Sequence, residues 1–388
     1  MLKSKITETI VQIIVKNFKA GHHAQQSNYK SFQPNTLNHS WNLDDMELVQ
    51  LLGQADRAVG RLDMYSEYIP NIELFIRMHV LKEATQSSKI EGTQTNMEEA
   101  LQAKEDIALE KRDDWEEVQN YIRAMNEAIE QLQKLPFATR LICETHKTLM
   151  QGVRGKHKLP GEFRKSQNWI GGATITDATF IPPAHHTIND LMSDLEKFVH
   201  NDDAYFPELL KIALVHYQFE TIHPFLDGNG RVGRLLITLY LVDQGILKKP
   251  ILYLSDFFER NRQLYYDNLM NVRTKDDLKQ WFKFFLVGVI ETAKNSSDTF
   301  DQILKLQQQV DQKIQTLGSR SANAQIVMTY LYQHPMIGAS KTADITHLSA
   351  TSAYKLIADL ERLGILKETT GNKRSKSYLF REYIDLFK

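Results

Sequence analysis

The sequence predicts a mainly α-helical protein of more than one domain. Three observations predict it: apolar residues recur at helical spacing over long stretches, a β-hairpin pattern is nearly absent before the last quarter, and 388 residues exceed one ordinary hydrophobic core. Ile10, Ile13, Ile14 and Val15 predict a short opening helix, followed by a polar loop from His22 to His39. Helical periodicity then runs from Asp44 to about Ala108, with breaks at Pro70 and near Gly92. Asp113 to Gln133 predicts another helix, ending before Pro136. Pro207 suits the first turn of a helix carrying Leu209, Ile212, Ala213, Val215 and Phe219.

One early segment departs from the helical pattern. Trp169 to Thr176 places β-prone residues around Gly171-Gly172 and leads to Phe180-Ile181-Pro182-Pro183, which predicts a β-hairpin. After about Ser319 the pattern changes again. Ile326, Val327, Tyr330 and Leu331 mark one helix, Thr342 to Leu348 a second, and Ser352 to Leu363 a third, with Ala353, Leu356, Ile357, Leu360 and Leu363 on one face. Gly364 ends the third. Ile365-Leu366-Lys367 and Ser377-Tyr378-Leu379-Phe380 then predict two strands around the turn Thr370-Gly371-Asn372-Lys373. That order is the order of a winged helix-turn-helix. The expected organisation is 1–110, 111–296, a linker helix 297–318, and 319–388.

The formal net charge is −1, so no whole-chain attraction to nucleic acid or membrane is expected. Gly318 to Lys388 is an exception, with ten Lys/Arg against six Asp/Glu, about +4. Cys143 is the only cysteine, which excludes an internal disulfide and a thiolate metal cluster and fits a reducing compartment. The start of the chain lacks the pattern of a signal peptide, and the longest apolar run, Leu235 to Val242, is too short to span a bilayer. The cytoplasm is the expected location, with no membrane partner.

The chemistry concentrates in His223-Pro224-Phe225-Leu226-Asp227-Gly228-Asn229-Gly230-Arg231-Val232-Gly233-Arg234. Gly228 and Gly230 permit positive φ and close approach of a ligand to the backbone. They directly precede the apolar helical run Leu235-Leu236-Ile237, so their N–H groups should emerge at a helix N-terminus, which attracts anions. Arg231 and Arg234 can grip phosphate oxygens. Asp227 would repel phosphate unless a cation intervened, so it is read as a Mg²⁺ ligand. His223, with an ordinary pKa of about 6.5, can accept a hydroxyl proton near neutral pH. Taken singly, a histidine such as His223 is more often a structural one. Gly228-x-Gly230-x-x-Gly233 also matches the dinucleotide fingerprint, but no strand precedes it and no βαβ pattern surrounds it.

His223 to Arg234 resembles the Fic family motif, His-x-Phe-x-(Asp/Glu)-Gly-Asn-Gly-Arg-x-x-Arg, with every defining position filled. Gly161-Glu162-Phe163-Arg164, Ile170-Gly171-Gly172, Phe180 to Pro183 and Tyr265-Tyr266 extend the resemblance over roughly residues 45 to 295. It implies a helical catalytic core that transfers AMP from ATP to a Ser, Thr or Tyr hydroxyl of a target protein or of itself. By that resemblance His223 is the base and Asp227 holds Mg²⁺. Gly228, Asn229 and Gly230 cradle the phosphates, which Arg231 and Arg234 clamp. Ile170, Gly171 and Gly172 belong to a flap that receives the target, and Tyr265 is a candidate adenine contact, with a core aromatic as the other reading. Relatives that transfer phosphate carry lysine where Gly230 stands, so glycine favours AMP transfer.

Ser87-Ser88-Lys89-Ile90-Glu91-Gly92 is similar to the family's inhibitory pattern, (Ser/Thr)-x-x-x-Glu-(Gly/Asn). Ser87 and Glu91 share one helix face, and Gly92 suits the helix end. The resemblance implies that Glu91 engages Arg234 and holds the enzyme inactive. Removal of AMP from a modified target, transfer of another nucleotide, and a DNA-binding regulator with a nucleotide-sensing core are the competing readings. The basic C-terminal wing (Lys367, Lys373, Arg374, Lys376 and Arg381 against Glu368) would suit DNA, and Ser349, Thr351, Ser352, Tyr354 and Lys355 would face the groove. Docking to protein is the other option, and the oligomeric state stays open, a homodimer included. His22-His23 and His185-His186 look like metal pairs without further ligands and are read as loop histidines.

Overall fold

The computed structural model describes residues 18–41, 43–69, 71–152, 157–202, 206–369 and 376–388. The predicted opening helix at Ile10 to Val15, the break at Pro70, and the turn Thr370 to Lys373 with Arg374 lie outside them.

The chain opens with an antiparallel strand pair, β1 (Gly21–Gln25) and β2 (Lys30–Pro34). The helices α1 (Met46–Tyr68), α2 (Glu73–Ile90), α3 (Met97–Ala100), α4 (Arg112–Leu132) and α5 (Thr139–Leu149) follow. After a long connection come α6 (Ile188–Val199), α7 (Glu208–Ile222), α8 (Asn229–Asp243), α9 (Ser255–Arg260), α10 (Arg262–Lys275) and α11 (Leu278–Gln315). Capping residues set several starts. The Asp45 side chain accepts the N–H groups of Glu47 and Leu48 at the head of α1, and Asn96 and Glu99 form a capping box on α3.

Helices α7 and α8 form the centre of the molecule. Every residue of α7 from Leu209 to Ile222 is buried, and so are nearly all of α8 from Asn229 to Leu241. A helix that is covered on all sides must be packed by neighbours on all sides. α6, α5, α4, α2 and α11 supply that packing, and the Trp281 indole of α11 donates to the Ala213 carbonyl of α7 at 2.9 Å. The two central helices cross closely at Gly233, where a Cβ would lie 2.2 Å from Glu220 Oε1 and 3.2 Å from the Phe219 ring.

α11 is 38 residues long, roughly 57 Å at 1.5 Å per residue. It runs unbroken through the boundary expected between 296 and 297. Its first turns bury Trp281, Phe282 and Phe285 in the central core, and its far end buries Val310 and Ile314. α1 lies along it, with Tyr65 stacked on Phe300 at 5.5 Å and its hydroxyl 2.8 Å from Asp301.

The C-terminal elements are α12 (Ser321–Gln333), β3 (Met336–Gly338), α13 (Ala339–Thr346), α14 (Ala350–Arg362), β4 (Lys367–Glu368), β5 (Ser377–Leu379) and α15 (Arg381–Asp385), with the strands ordered β3-β5-β4. They pack directly on α2: Phe75 meets the rings of Tyr332 and Tyr383, and His79 meets Phe387 edge-on at 5.0 Å.

Two expectations are corrected. The polar segment His22 to His39 is no simple loop, since it contains β1 and β2. Its strands are recruited by docking, because Phe32 is buried, packs against Phe180, and its N–H donates to the Ile181 carbonyl at 2.9 Å. The expected hairpin after Trp169 is reduced to a single antiparallel bridge, Ile170 to Phe180. Gly171 and Gly172 both take positive φ and turn the chain off the ladder at once. A Cβ there would strike Thr179 Oγ1 and the Asp177 carbonyl at 2.4 Å, so no other residue fits without rearrangement.

The α7–α8 crossing yields a stability prediction. Gly233→Ala should destabilise the protein by about 1–3 kcal/mol, the usual cost of overpacking a close contact. Chemical denaturation would show it as a lower midpoint, and an unchanged midpoint would contradict the close crossing.

Candidate active site

The site forms where α7 ends and α8 begins. His223 terminates α7 in the left-handed region, with φ 51° and ψ 60°. A non-glycine residue pays about 1–2 kcal/mol to sit there. Buried Arg164 compensates: its Nε donates to the His223 carbonyl at 3.0 Å, its Nη2 to the Pro183 carbonyl at 2.5 Å, and its backbone N–H to the Pro224 carbonyl at 2.9 Å. Asn168 adds a bond to the Phe225 carbonyl at 2.9 Å. One buried side chain therefore ties the histidine to the segment that follows the flap bridge.

Gly228, at φ 75°, caps the start of α8. A Cβ on it would lie 2.8 Å from Met150 Sδ, so a side chain is excluded. The Asn229 side chain is spent inside the loop, where Oδ1 accepts from Phe225 N at 2.8 Å and Nδ2 donates to Phe225 O at 2.9 Å. Asn229 can thus offer a ligand only its backbone. The first N–H groups of α8 lack intrahelical acceptors and carry the positive end of the helix dipole.

A carboxylate stands beside that helix end. Glu91 Oε1 would be 2.3 Å from a Cβ on Gly230, and it accepts from Arg234 Nη2 at 2.6 Å. Arg234 also donates to Ser87 Oγ and to the Ser87 carbonyl, both at 2.9 Å. Burial pushes the Glu91 carboxyl up, but the charge and hydrogen bond of Arg234, then Arg231 and His223, outweigh it and hold its pKa below the ordinary value. Arg231 is also occupied: its Nη1 lies 3.0 Å from Glu117 Oε2, and its Nη2 is 3.8 Å from Asp227 Oδ1. Beside these groups opens a cavity of about 280 Å³, lined by Glu91, Glu117, Met150, Asp227 and Arg231 among others.

Asp227 suits a hard cation. Its side chain is 47% exposed, and the close contact it makes, from Gly228 N–H at 2.6 Å, falls on Oδ1. Asp227 lines the cavity, where phosphates and water could complete the shell of a magnesium ion, which commonly takes only one or two carboxylates. Among the described residues no group of three or more metal-binding side chains forms a closed cage.

His223 stays neutral at ordinary pH. Burial lowers its pKa to about 3, and Arg273 and Arg164 push the same way against Glu91 and the Glu220 carbonyl. The structure thus brings His223, Asp227, Gly228, Asn229, Gly230, Arg234, Ser87 and Glu91 together. It does not bring Tyr265 to the cavity. That ring is 1% exposed, stacks on Phe258 at 4.5 Å, and bonds His216 at 2.9 Å, so it packs as a core residue. Its neighbour Tyr266 is 39% exposed. Ile170, Gly171 and Gly172 lie on the bridge segment, tethered through Phe180 to Arg273, whose guanidinium sits 3.9 Å over that ring. Glu117 and His146 escaped the sequence reading. A usable signal existed for His146, which shares the buried face of α5 with Leu141, Ile142, Thr145 and Leu149.

A helical core whose central helix presents its N-terminus, two arginines and a carboxylate beside a neutral histidine defines a class of phosphate-handling sites. Residues 49–130 match the model of the Fic/DOC family N-terminal region and residues 136–241 that of the Fic/DOC family, so the chain carries both of these domains. It is 33% identical over 125 residues to a protein named protein adenylyltransferase Fic from Aedes aegypti, covering 32% of this chain and 22% of that one. A protein of the same name from Drosophila erecta is 29% identical over 202 residues, 50% of this chain and 36% of that one. The chain thus spans less than half the length of either relative. A solved Fic family protein from Desulfovibrio desulfuricans G20 shares the fold, with a TM-score of 0.57 at 20% identity, over 88% of this chain and 98% of that one.

The buried histidines predict acid sensitivity. Burial lowers His79 to about 3, His146 to about 4 and His216 to about 3. Unfolded, each binds a proton below about 6.5, so between those values the unfolded chain holds more protons and stability is lost as the pH falls. Glu220 acts oppositely, because burial raises it to about 7 and the folded form holds its proton. With His223 counted, four against one leaves about three protons, or about 4 kcal/mol per pH unit below pH 6. Urea unfolding at pH 7 and pH 5 should show this loss, and equal stabilities would contradict neutral burial.

Proposed function

We propose that this chain is a protein adenylyltransferase that moves AMP from ATP to a Ser, Thr or Tyr hydroxyl of a target protein and of itself. The observation that carries the reading is the neutral His223 beside the anion-accepting start of α8, with Arg234 one turn into that helix. The relatives named protein adenylyltransferase Fic support the same reaction. The triphosphate lies against the backbone of Gly228, Asn229 and Gly230, with Arg231 and Arg234 on the β- and γ-phosphates. Asp227 would hold Mg²⁺, which neutralises phosphate charge. The target hydroxyl oxygen bonds to the α-phosphorus as the bond to the bridging oxygen breaks. Its proton passes to the His223 imidazole, and pyrophosphate leaves. Positioning and charge neutralisation carry most of the rate. The segment from Ile170 to Phe180 receives the target chain along its edge.

Glu91 is the brake in this reading. A carboxylate on Arg234 and at the α8 N-terminus occupies both features that a γ-phosphate needs. A charge-assisted hydrogen bond is worth about 1.5–3 kcal/mol, so Glu91→Gly should raise self-labelling from α-phosphate-labelled ATP roughly ten- to a hundredfold. In that background His223→Ala should reduce labelling by at least about 10²-fold, the usual share of a general base. Unchanged labelling on losing Glu91 would remove the brake, and labelling that survives loss of His223 would remove the base.

Residues 319–388 are proposed as a winged helix-turn-helix, supported by the succession α12, α13, α14 and the small sheet. Ser349 caps α14, and Tyr354 stands 54% exposed on it. A mobility shift with random duplex that weakens with salt would identify DNA as its partner. No shift at low salt would leave protein docking.

A further inference from the structure

We propose that His146, on α5, is the positioning residue that orients the Asp227 carboxylate. The proposal rests on the reading of Asp227 as the residue that holds the nucleotide's metal. His146 is fully buried, and its ring lies flat on Phe225, with centroids 3.7 Å apart and planes 7° off parallel. Its two nitrogens have different partners. Gly161 N–H donates to Nδ1 at 2.9 Å. An amide N–H can only donate, so Nδ1 is bare and the ring proton sits on Nε2. Nε2–H therefore donates to the Asp227 carbonyl, 3.0 Å away.

That carbonyl belongs to the peptide joining Asp227 to Gly228. A trans peptide is planar, so its C=O and N–H point in opposite directions. Holding the carbonyl on His146 fixes the N–H of Gly228 on the other side, where it donates to Asp227 Oδ1 at 2.6 Å. The relay thus runs from Gly161 through the imidazole and the peptide plane to the carboxylate. Gly228 could otherwise let this peptide turn over, since glycine tolerates both signs of φ. The imidazole removes that freedom. Gly161 begins the Gly161 to Arg164 segment, whose last residue holds the His223 carbonyl. One side chain accordingly couples the segment supporting the base to the acid.

His146→Phe keeps the stack and loses both bonds; His146→Gln keeps one donor. Each is made in the Glu91→Gly background, and ATP binding is measured by calorimetry with Mg²⁺ and with EDTA, beside melting temperature and self-labelling. Expected is a fall of roughly tenfold in the Mg²⁺-dependent gain in ATP affinity for His146→Phe, matching about 1.4 kcal/mol, with EDTA affinity unchanged and His146→Gln intermediate. The Mg²⁺ concentration giving half-maximal labelling should rise in the same order. An unaltered Mg²⁺-dependent gain overturns the proposal. So does equal weakening with Mg²⁺ and with EDTA in both variants, which would make His146 a fold residue only; if His146→Phe does not fold, His146→Gln alone decides. Should the Glu91→Gly parent bind ATP without any Mg²⁺ dependence, the reading of Asp227 fails first, and the proposal with it.

Discussion

A guanidinium taken fully out of water must find acceptors, and Arg234 sets that demand at the centre of this molecule. It lies 2% exposed on α8, and its acceptors come from α2: the hydroxyl and carbonyl of Ser87 and the carboxylate of Glu91. Removing an acceptor from a buried cation is costly, so Arg234 favours an anion beside its two Ser87 acceptors. Ser87 supplies neutral acceptors that need not leave. Glu91 differs, because its side chain is 36% exposed at the rim and follows the last turn of α2. On the proposed reading it is the exchangeable partner, and a γ-phosphate is the group able to replace it.

That arrangement requires α2 to be held accurately, and its neighbours hold it on several sides. Glu83, buried mid-helix, accepts from Tyr121 of α4 at 2.9 Å and from the Ser255 hydroxyl and N–H of α9 at 2.6 and 3.1 Å. Below it, Phe75 and His79 pack on rings of the C-terminal elements. Beyond Glu91, the Gln94 N–H bonds Asp114 at 2.9 Å, and Glu98 pairs with Arg381 and Lys388 of the C-terminus. The helix that carries Glu91 is therefore part of three packing layers at once. Its position cannot change without disturbing the core or the C-terminal elements.

What could be read in the sequence was whatever lies close together along it. The loop from His223 to Arg234 is contiguous, so its glycines, cations and acid announce themselves by order alone. The helices α1, α2, α4, α7 and α14 follow from apolar spacing and from glycine or proline punctuation. Partnerships across the fold are silent. Nothing near Arg231 points to Glu117, which lies 114 positions earlier, and nothing in Asp227 points to His146. The β1–β2 pair was hidden because its strands are polar and depend on Phe32 docking against Phe180. Tyr265 shows the converse ambiguity, since a tyrosine bonded inside the core and one facing a ligand carry the same letter.

The site gathers into one short loop features that occur singly elsewhere in the fold. His223 adopts a conformation that costs an ordinary residue about 1–2 kcal/mol, Gly228 and Gly230 forgo side chains beside a helix start, and Glu220 and Arg234 place ionisable groups in the interior. Elsewhere apolar faces meet apolar faces, and side-chain caps begin α1, α3, α11 and α14. Local rules broken together in one short loop, each with a named compensating contact such as Arg164 on the His223 carbonyl, indicate a backbone shaped for a ligand and not for its own stability. The loop is held by contacts from segments distant in sequence: Arg164 and Asn168 of the connection after α5, and His146 of α5. Rigidity is what a site for transfer at phosphorus needs, since misplacing the reacting groups by about 1 Å can cost a hundredfold in rate.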